Sequence, residues 1–189
     1  IAPAQGAHTD RSRQAAQDER AARHESERRY YASLKCGPCF ACRVNRSQPC
    51  GWGAVKVMLA LAAIPPEQRT PQIERAIAAG VDYLLRIDPA TAAYPTADGR
   101  PPSRSWWAFG FPVFYVTDLL QLAEALVAHG LRDDRRLRSL LALIAAKADA
   151  EGRWKLEYVY GGKTWGSFGR KGRPNKWVTL RAVRVLSES

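Results

Sequence analysis

The sequence predicts an all-α protein, built as an α/α toroid or partial toroid of repeated helical hairpins. Two observations lead to this fold class. From Gly51 onward, apolar residues recur at helical spacing in paired segments. The same pair then returns: His129 follows Ile64 by 65 residues, and Leu137 follows Ile73 by 64. With 189 residues and 46% apolar composition, the chain is long enough to bury a core.

The first predicted hairpin lies between Gly51 and the middle of the chain. Its first helix has the apolar face Val55, Met58, Leu59 and Ala62, and its second has Ile73, Ile77, Val81 and Leu84. Pro65-Pro66 ends the first helix, and Thr70-Pro71 begins the second as a cap followed by a proline at the first helical position.

The second predicted hairpin repeats this order. Its two apolar faces are Leu119, Leu122, Ala123 and Leu126, then Leu137, Leu140, Leu141 and Ile144. Gly130 ends the first helix, and Asp133 or Asp134 caps the next. Val178-Thr179 matches Val116-Thr117 at an offset of 62 residues. This match predicts one more helix, equivalent to the first helix of each hairpin.

Such a hairpin cannot bury its inner face alone, so neighbouring hairpins are expected to stack in an arc or ring. Two and a half repeats make part of a ring, which a second chain, another protein or missing sequence would complete. The predicted core residues are Val55, Leu59, Ile77, Leu84, Leu122, Leu126, Leu140, Ile144 and Leu180.

Three regions differ in composition. Residues 1–33 form a polar, charged arm without an apolar stripe, expected to be a solvated helix or disordered. Residues 34–50 form a loop that contains every cysteine, and residues 51–189 form the helical-repeat domain.

The formal net charge of +11 is uneven: residues 1–35, 36–150 and 151–189 carry +2, +3 and +6. An acidic partner would therefore meet the C-terminal part first. No run of eighteen apolar residues and no charged-then-apolar leader is found, so a soluble, cytoplasmic protein without a membrane span is expected. Because the chain begins with Ile1, it is also expected to be a processed product or a piece of a longer protein.

All four cysteines, Cys36, Cys39, Cys42 and Cys50, fall within fifteen residues. Two C-x-x-C spacings share the middle cysteine, and such a loop can wrap around a zinc ion or an iron–sulfur cluster. Arg43 and Arg46 would partly offset the charge of the thiolates. One or two disulfides, or cysteines that are simply small buried hydrophobes, are the alternatives.

Aromatic residues concentrate in the loops at helix ends. They either lock neighbouring repeats together or line a cavity and face a ligand. The candidate ligand-binding residues are Trp106, Trp107, Phe109, Tyr115, Trp154 and Trp177.

Several of these segments resemble a known group of proteins. The run from Asp149 to Trp154 is similar to the Q-x-x-x-G-x-W ending of repeats in squalene cyclases and protein prenyltransferases. Over about residues 49–187, the chain resembles the C-terminal part of bacterial terpenoid-cyclase-like proteins with prenyltransferase/squalene-oxidase repeats. The segments that carry this resemblance are Pro49 to Lys56, Ala63 to Pro65, Phe109 to Pro112, Asp118 to Leu120, Gly152 to Trp154 and Pro174 to Arg181. The resemblance implies inner and outer helices around an apolar chamber.

Neither acidic motif of the terpene cyclases and synthases is present. The prenyltransferase zinc site cannot be carried over either, because these cysteines are local and lie before the first recognisable helix. The one candidate catalytic residue is Asp118, which starts an inner helix; capping or an ion pair is its alternative role. Whether the chain is an enzyme stays open.

The sequence therefore favours a protein that binds an apolar prenyl-like ligand or a protein partner. The alternatives are a prenyl-substrate enzyme with unlocated catalytic residues, or a zinc or iron–sulfur protein with a redox or sensing role. Nucleic-acid binding ranks third. Gly172-Arg173-Pro174 matches the core of an AT-hook, but a structural turn is favoured there.

Overall fold

Helices predominate in the computed structural model, which describes residues 41–42, 45–46, 48–96, 99–114, 116–161 and 164–187. Within those ranges there are five α-helices and one two-stranded hairpin. The helices are α1 Gly51–Ala62, α2 Pro71–Leu85, α3 Leu119–Val127, α4 Arg138–Ala146 and α5 Lys176–Leu186. The strands are β1 Ala41–Cys42 and β2 Gln48–Pro49. The mainly helical class is confirmed, and both predicted hairpins and the third first helix are present.

Capping side chains fix where these helices begin. The hydroxyl of Thr70 accepts a hydrogen bond from the backbone N–H of Ile73, and Asn175 accepts from two N–H groups of the first turn of α5. Asp134 caps a short 3-10 turn directly before α4, as the sequence indicated. The hydrogen bond from Arg136 lowers the pKa of Asp134 to about 2.

The helices pack in the order of the repeats. Helix α1 packs against α2 and α3, and α3 packs in turn against α4 and α5. Helix α4 also contacts α5. Helices α1, α3 and α5, each the first helix of its repeat, thus contact one another in sequence. The second helices, α2 and α4, lie beside them. In α3 only Glu124 and Val127 are not buried, so this helix is the centre of the described core.

Most of the predicted core is confirmed. Val55, Leu84, Leu122, Leu126, Leu140 and Ile144 are fully buried, Ile77 is nearly so, and Leu59 is half-buried against them. The prediction for Leu180 is wrong, because its side chain is 42% exposed. Helix α5 instead buries Val178, Ala182 and Val185 together with Arg181, the neighbour of Leu180.

The hairpin of the cysteine region is attached to the loop after α2. The Asn45 side-chain amide donates to the carbonyl oxygens of Pro49 and Pro95. Tyr94 in the same loop donates to the Leu84 carbonyl at 2.9 Å, and burial raises the pKa of its hydroxyl. A Cβ on Gly51 would come within 2.6 Å of the Tyr94 ring, so this close approach requires glycine.

No helix among the described residues is long and apolar enough to cross a membrane. The predictions for residues 1–33, and for Cys36, Cys39 and Tyr115, lie outside the residues that the structure describes.

Candidate functional site

A concave surface with aromatic walls lies at the loop end of α5. We call it the aromatic groove; its volume is about 320 Å3. Apolar pockets of 300–1,000 Å3 are the usual size for small-molecule sites. The lining residues are Phe111, Pro112, Val159, Tyr160, Gly161, Thr164 and Gly166 to Gly169.

Phe111 and Phe168 line one side of the groove, and Trp177 packs on Phe111 next to it. Phe111 stacks on Trp177 with centroids 5.1 Å apart and planes at 8°, and the edge of Phe168 meets Phe111 at 5.3 Å and 71°. Both geometries are favourable for aromatic pairs. Trp177 and Phe168 nevertheless remain 36% and 39% exposed, so substantial aromatic surface faces solvent. That surface is available to a ligand.

Backbone hydrogen bonds join three distant segments to build the groove. The backbone N–H groups of Glu157 and Tyr158 both donate to the carbonyl of Phe109. Leu156 exchanges hydrogen bonds with the turn at residues 172–173, donating to Arg173 and accepting from Gly172. The groove therefore rests on a fixed frame rather than on independent loops.

The same bonds settle the conformation of Gly172-Arg173-Pro174. The segment forms a turn tied to Leu156, and Lys155 and Pro174 form an antiparallel bridge. This is the structural turn that the sequence favoured, not a free extended segment.

A buried ionic cluster lies directly behind the groove. Arg181 is 8% exposed and forms a bidentate ion pair with Glu124. Its Nε and Nη2 atoms lie 2.7 and 2.8 Å from the two carboxylate oxygens. It also donates to the Gly110 carbonyl at 2.8 Å and contacts Asp118 at 3.4 Å. Burial by itself lowers the pKa of Arg181. Attraction by Asp118 and hydrogen bonding to Glu124 outweigh this effect, so the pKa is raised overall. The guanidinium therefore stays charged, and its hydrogen bond fixes Gly110, the residue before Phe111.

Asp118 has a capping and bracing geometry. One carboxylate oxygen accepts from the backbone N–H of Gln121 at 2.7 Å, and the other accepts from Gly110 at 3.1 Å. With Arg181 on the first oxygen, both oxygens of this buried carboxylate have donors. Asp118 thus caps α3 and pairs with Arg181, the alternative to a catalytic role. Its catalytic role stays a prediction.

Lys56 links the first two repeats across this cluster. Its ammonium donates to the Gln121 side-chain carbonyl, and the two residues are 65 positions apart, the spacing of the repeat. Burial lowers the pKa of Lys56, partly offset by Asp118. Facing positions of α1 and α3 are therefore joined by a polar contact inside the apolar core.

Most of the predicted ligand-binding aromatics lie in the core. Trp106 packs edge-on against Trp52, and Phe109 is fully buried. The indole N–H groups of Trp107 and Trp154 donate to the carbonyls of Ala90 and Ile144 at 3.1 and 2.7 Å. These contacts match the locking role that was the alternative for the loop aromatics. Of the predicted residues that the structure describes, Trp177 stacks on the groove residue Phe111, but none is itself among the lining residues.

Sequence reasoning did not single out Phe111, Tyr160 and Phe168 as ligand-binding residues. Phe111 lies two residues after Phe109, a predicted ligand-binding residue, and Phe168 lies four residues before the Gly172-Arg173-Pro174 segment. The feature that distinguishes them is exposure of one ring face beside a cavity, which only the folded chain reveals.

The cysteine hairpin places two of the four predicted ligands. Cys42 lies opposite Gln48 in the antiparallel pair, and Cys50 follows Gln48 by two residues at the N-terminal cap of α1. The described residues contain no group of three or more His, Cys, Asp or Glu that could hold a metal, and Cys36 and Cys39 lie outside them. The shared centre remains a prediction.

We expect anaerobically purified protein to contain about one zinc ion or one iron–sulfur cluster per chain, because four clustered thiolates suit either. Elemental analysis with a visible spectrum measures this. Replacing Cys42 and Cys50 by serine together should abolish retention of the metal, whereas Ser139→Ala, far from the hairpin, should leave it unchanged. Metal-free protein with blocked thiols would instead establish disulfides.

No protein-family model, no curated protein and no solved structure matches this chain.

Proposed function

We propose that this chain is a terpenoid cyclase/prenyltransferase-like helical-repeat protein that binds an apolar, prenyl-like chain in the aromatic groove without converting it. The observation that carries the proposal is the groove itself, where Phe111 and Phe168 line a cavity of about 320 Å3 and Trp177 stacks on Phe111 from outside the lining. An unsaturated hydrocarbon chain fits such walls because it has no polar groups to desolvate.

The energetics suit a small apolar ligand. Covering ~100 Å2 of apolar surface contributes about 2.5 kcal/mol, and contact with aromatic faces adds to it. The cavity is at the small end of the usual range, so a short prenyl chain fits better than a long polyprenyl one. Thr164 and Ser167 supply hydroxyl groups at the loop side for a polar head.

The helix packing supports an arc of an α/α toroid. Successive contacts of α1, α3 and α5, with α2 and α4 alongside, are those of stacked helical hairpins. Because α3 is buried on nearly all sides, the proposed ligand lies at the loop end of the helices rather than beside α3. A partner chain that extends the arc would pack on α5, where Leu180 and Val183 are 42% and 44% exposed.

The proposal is tested by titrating the protein with farnesol, farnesyl diphosphate and squalene in an isothermal calorimeter. We expect a short prenyl compound to bind and Trp177→Ala to raise its Kd about two- to tenfold, because Phe111 loses its stacking partner and one such contact contributes about 0.5–1.5 kcal/mol. The matched control is Trp165→Ala, because Trp165 is fully exposed and, unlike Trp177, does not stack on the lining residue Phe111.

The alternative enzyme is tested with the same compounds by product analysis. Turnover that is lost in Asp118→Asn would overturn the non-catalytic proposal. Failure of all three compounds to bind, or equal loss in the Trp165→Ala control, would overturn the ligand site.

A further inference from the structure

The C-terminal part of the described chain is a cationic surface. Residues 164–187 contain no Asp or Glu and six Arg or Lys residues. Arg181 is buried in the ionic cluster, and the other five, Arg170, Lys171, Arg173, Lys176 and Arg184, are exposed. Such an excess of one sign attracts an anionic partner.

Trp165 stands in the same segment and is 110% exposed. Its neighbours Thr164 and Gly166 line the aromatic groove, whereas Trp165 does not. A tryptophan with both faces in solvent leaves its large aromatic surface unused by the fold. It is thus separate from the proposed prenyl site and offers a flat face for stacking.

The cations are displayed on an anchored turn. The backbone N–H of Arg173 donates to the Arg170 carbonyl at 3.1 Å, and Gly172 donates to Leu156 at 2.7 Å. Gly172 has φ +80°, a conformation that glycine adopts without strain. Arg170, Lys171 and Arg173 are therefore held on one fixed turn, a few residues from Trp165.

We propose that Trp165, together with the turn from Arg170 to Arg173, binds single-stranded nucleic acid. A positively charged track that follows phosphates, combined with an aromatic face on which a base stacks, is the common means of holding unpaired strands. Phosphates would lie against Arg170, Lys171 and Arg173, and an unpaired base would stack on Trp165. Duplex DNA fits less well, because its bases are already stacked and Arg173 is held in a turn instead of an extended minor-groove segment.

Fluorescence anisotropy with labelled dT and rU oligonucleotides of about 12 residues tests the proposal, in a salt series. With about three phosphates neutralised, log Kobs should fall with log[salt] at a slope of about −2. Trp165→Ala should weaken binding about tenfold and Trp165→Phe less, because one base loses its stacking partner. Binding of rU alone or dT alone would identify RNA or DNA as the partner.

Two variants separate position from total charge. Arg170→Ala/Lys171→Ala should reduce the salt slope by about 1.4. Arg135→Ala/Arg138→Ala, which removes the same charge near α4, should leave both the slope and the Kd unchanged. Trp177→Ala should retain nucleic-acid binding while losing the prenyl ligand, so failure of one proposal is distinguishable from failure of the other.

The proposal is overturned if duplex DNA or poly-glutamate of similar length binds as tightly as the single strands, since charge alone would then explain binding. An unchanged Kd in Trp165→Ala overturns it as well. Because the Trp165 side chain lies on the surface and not in the core, its variants are expected to fold normally. Far-UV circular dichroism checks this.

Discussion

Replacing Arg181 by methionine should lower the free energy of unfolding by about 3–5 kcal/mol. The guanidinium is buried and pairs with Glu124 and Asp118 while donating to the Gly110 carbonyl. Methionine fills a similar space but leaves two carboxylates without their cation and a buried carbonyl without its donor. Urea unfolding followed by circular dichroism measures the difference.

The control for this loss is Arg184→Met, one turn of helix further along α5. Arg184 is exposed, so its replacement should change the free energy of unfolding by no more than about 0.5 kcal/mol. Arg181→Lys should recover part of the stability, because it keeps the charge but loses the paired contact with Glu124. Equal effects at Arg181 and Arg184 would show that the ionic cluster does not brace the fold.

Arg181 also explains where sequence reasoning about α5 went wrong. Leu180 was predicted to lie in the core, whereas the residue of this pair that the fold buries is the charged Arg181, and charged residues usually lie on the solvent face. The carboxylates that permit its burial, Asp118 and Glu124, are 63 and 57 residues away in the chain. No local pattern reveals such partners, so the burial of Arg181 could not be predicted, although Val178, Ala182 and Val185 recur at helical spacing on the same face.

The other helices were predictable because their information is local. In α2, for example, Thr70 caps the helix, Pro71 occupies its first position, and Ile77 and Leu84 repeat at helical spacing. The successive contacts of α1, α3 and α5 follow the repeat offset that the sequence contains. Local caps and periodicity thus predicted both the elements and their neighbours.

The candidate site was less predictable because it forms from segments far apart in sequence. Phe111, Phe168 and Trp177 are in contact where the backbone bonds of Leu156 and Phe109 join their segments. The sequence could identify the loops as aromatic but could not tell a ring that faces solvent from one in the core. Trp177 and Trp154 were chosen by the same reasoning, and the fold buries Trp154 while it leaves Trp177 36% exposed.

Trp154→Ala should lower the free energy of unfolding by about 3–5 kcal/mol, the usual cost of deleting a large buried aromatic side chain. Trp154 is 5% exposed, and its indole donates to the Ile144 carbonyl at the end of α4. Its backbone carbonyl accepts from Asn175, the cap of α5, at 2.8 Å. Trp154 therefore holds the end of α4 to the start of α5.

Trp165→Ala is the matched control, because it removes the same side chain from a fully exposed position and should change stability by no more than about 0.5 kcal/mol. Trp154→Phe should fall between the two, since the ring is largely retained while the Ile144 carbonyl loses its donor. Chemical unfolding of the three variants under one condition gives the comparison. A loss below about 1 kcal/mol in Trp154→Ala would mean that the contacts around Trp154 do not hold the end of α4 to the start of α5.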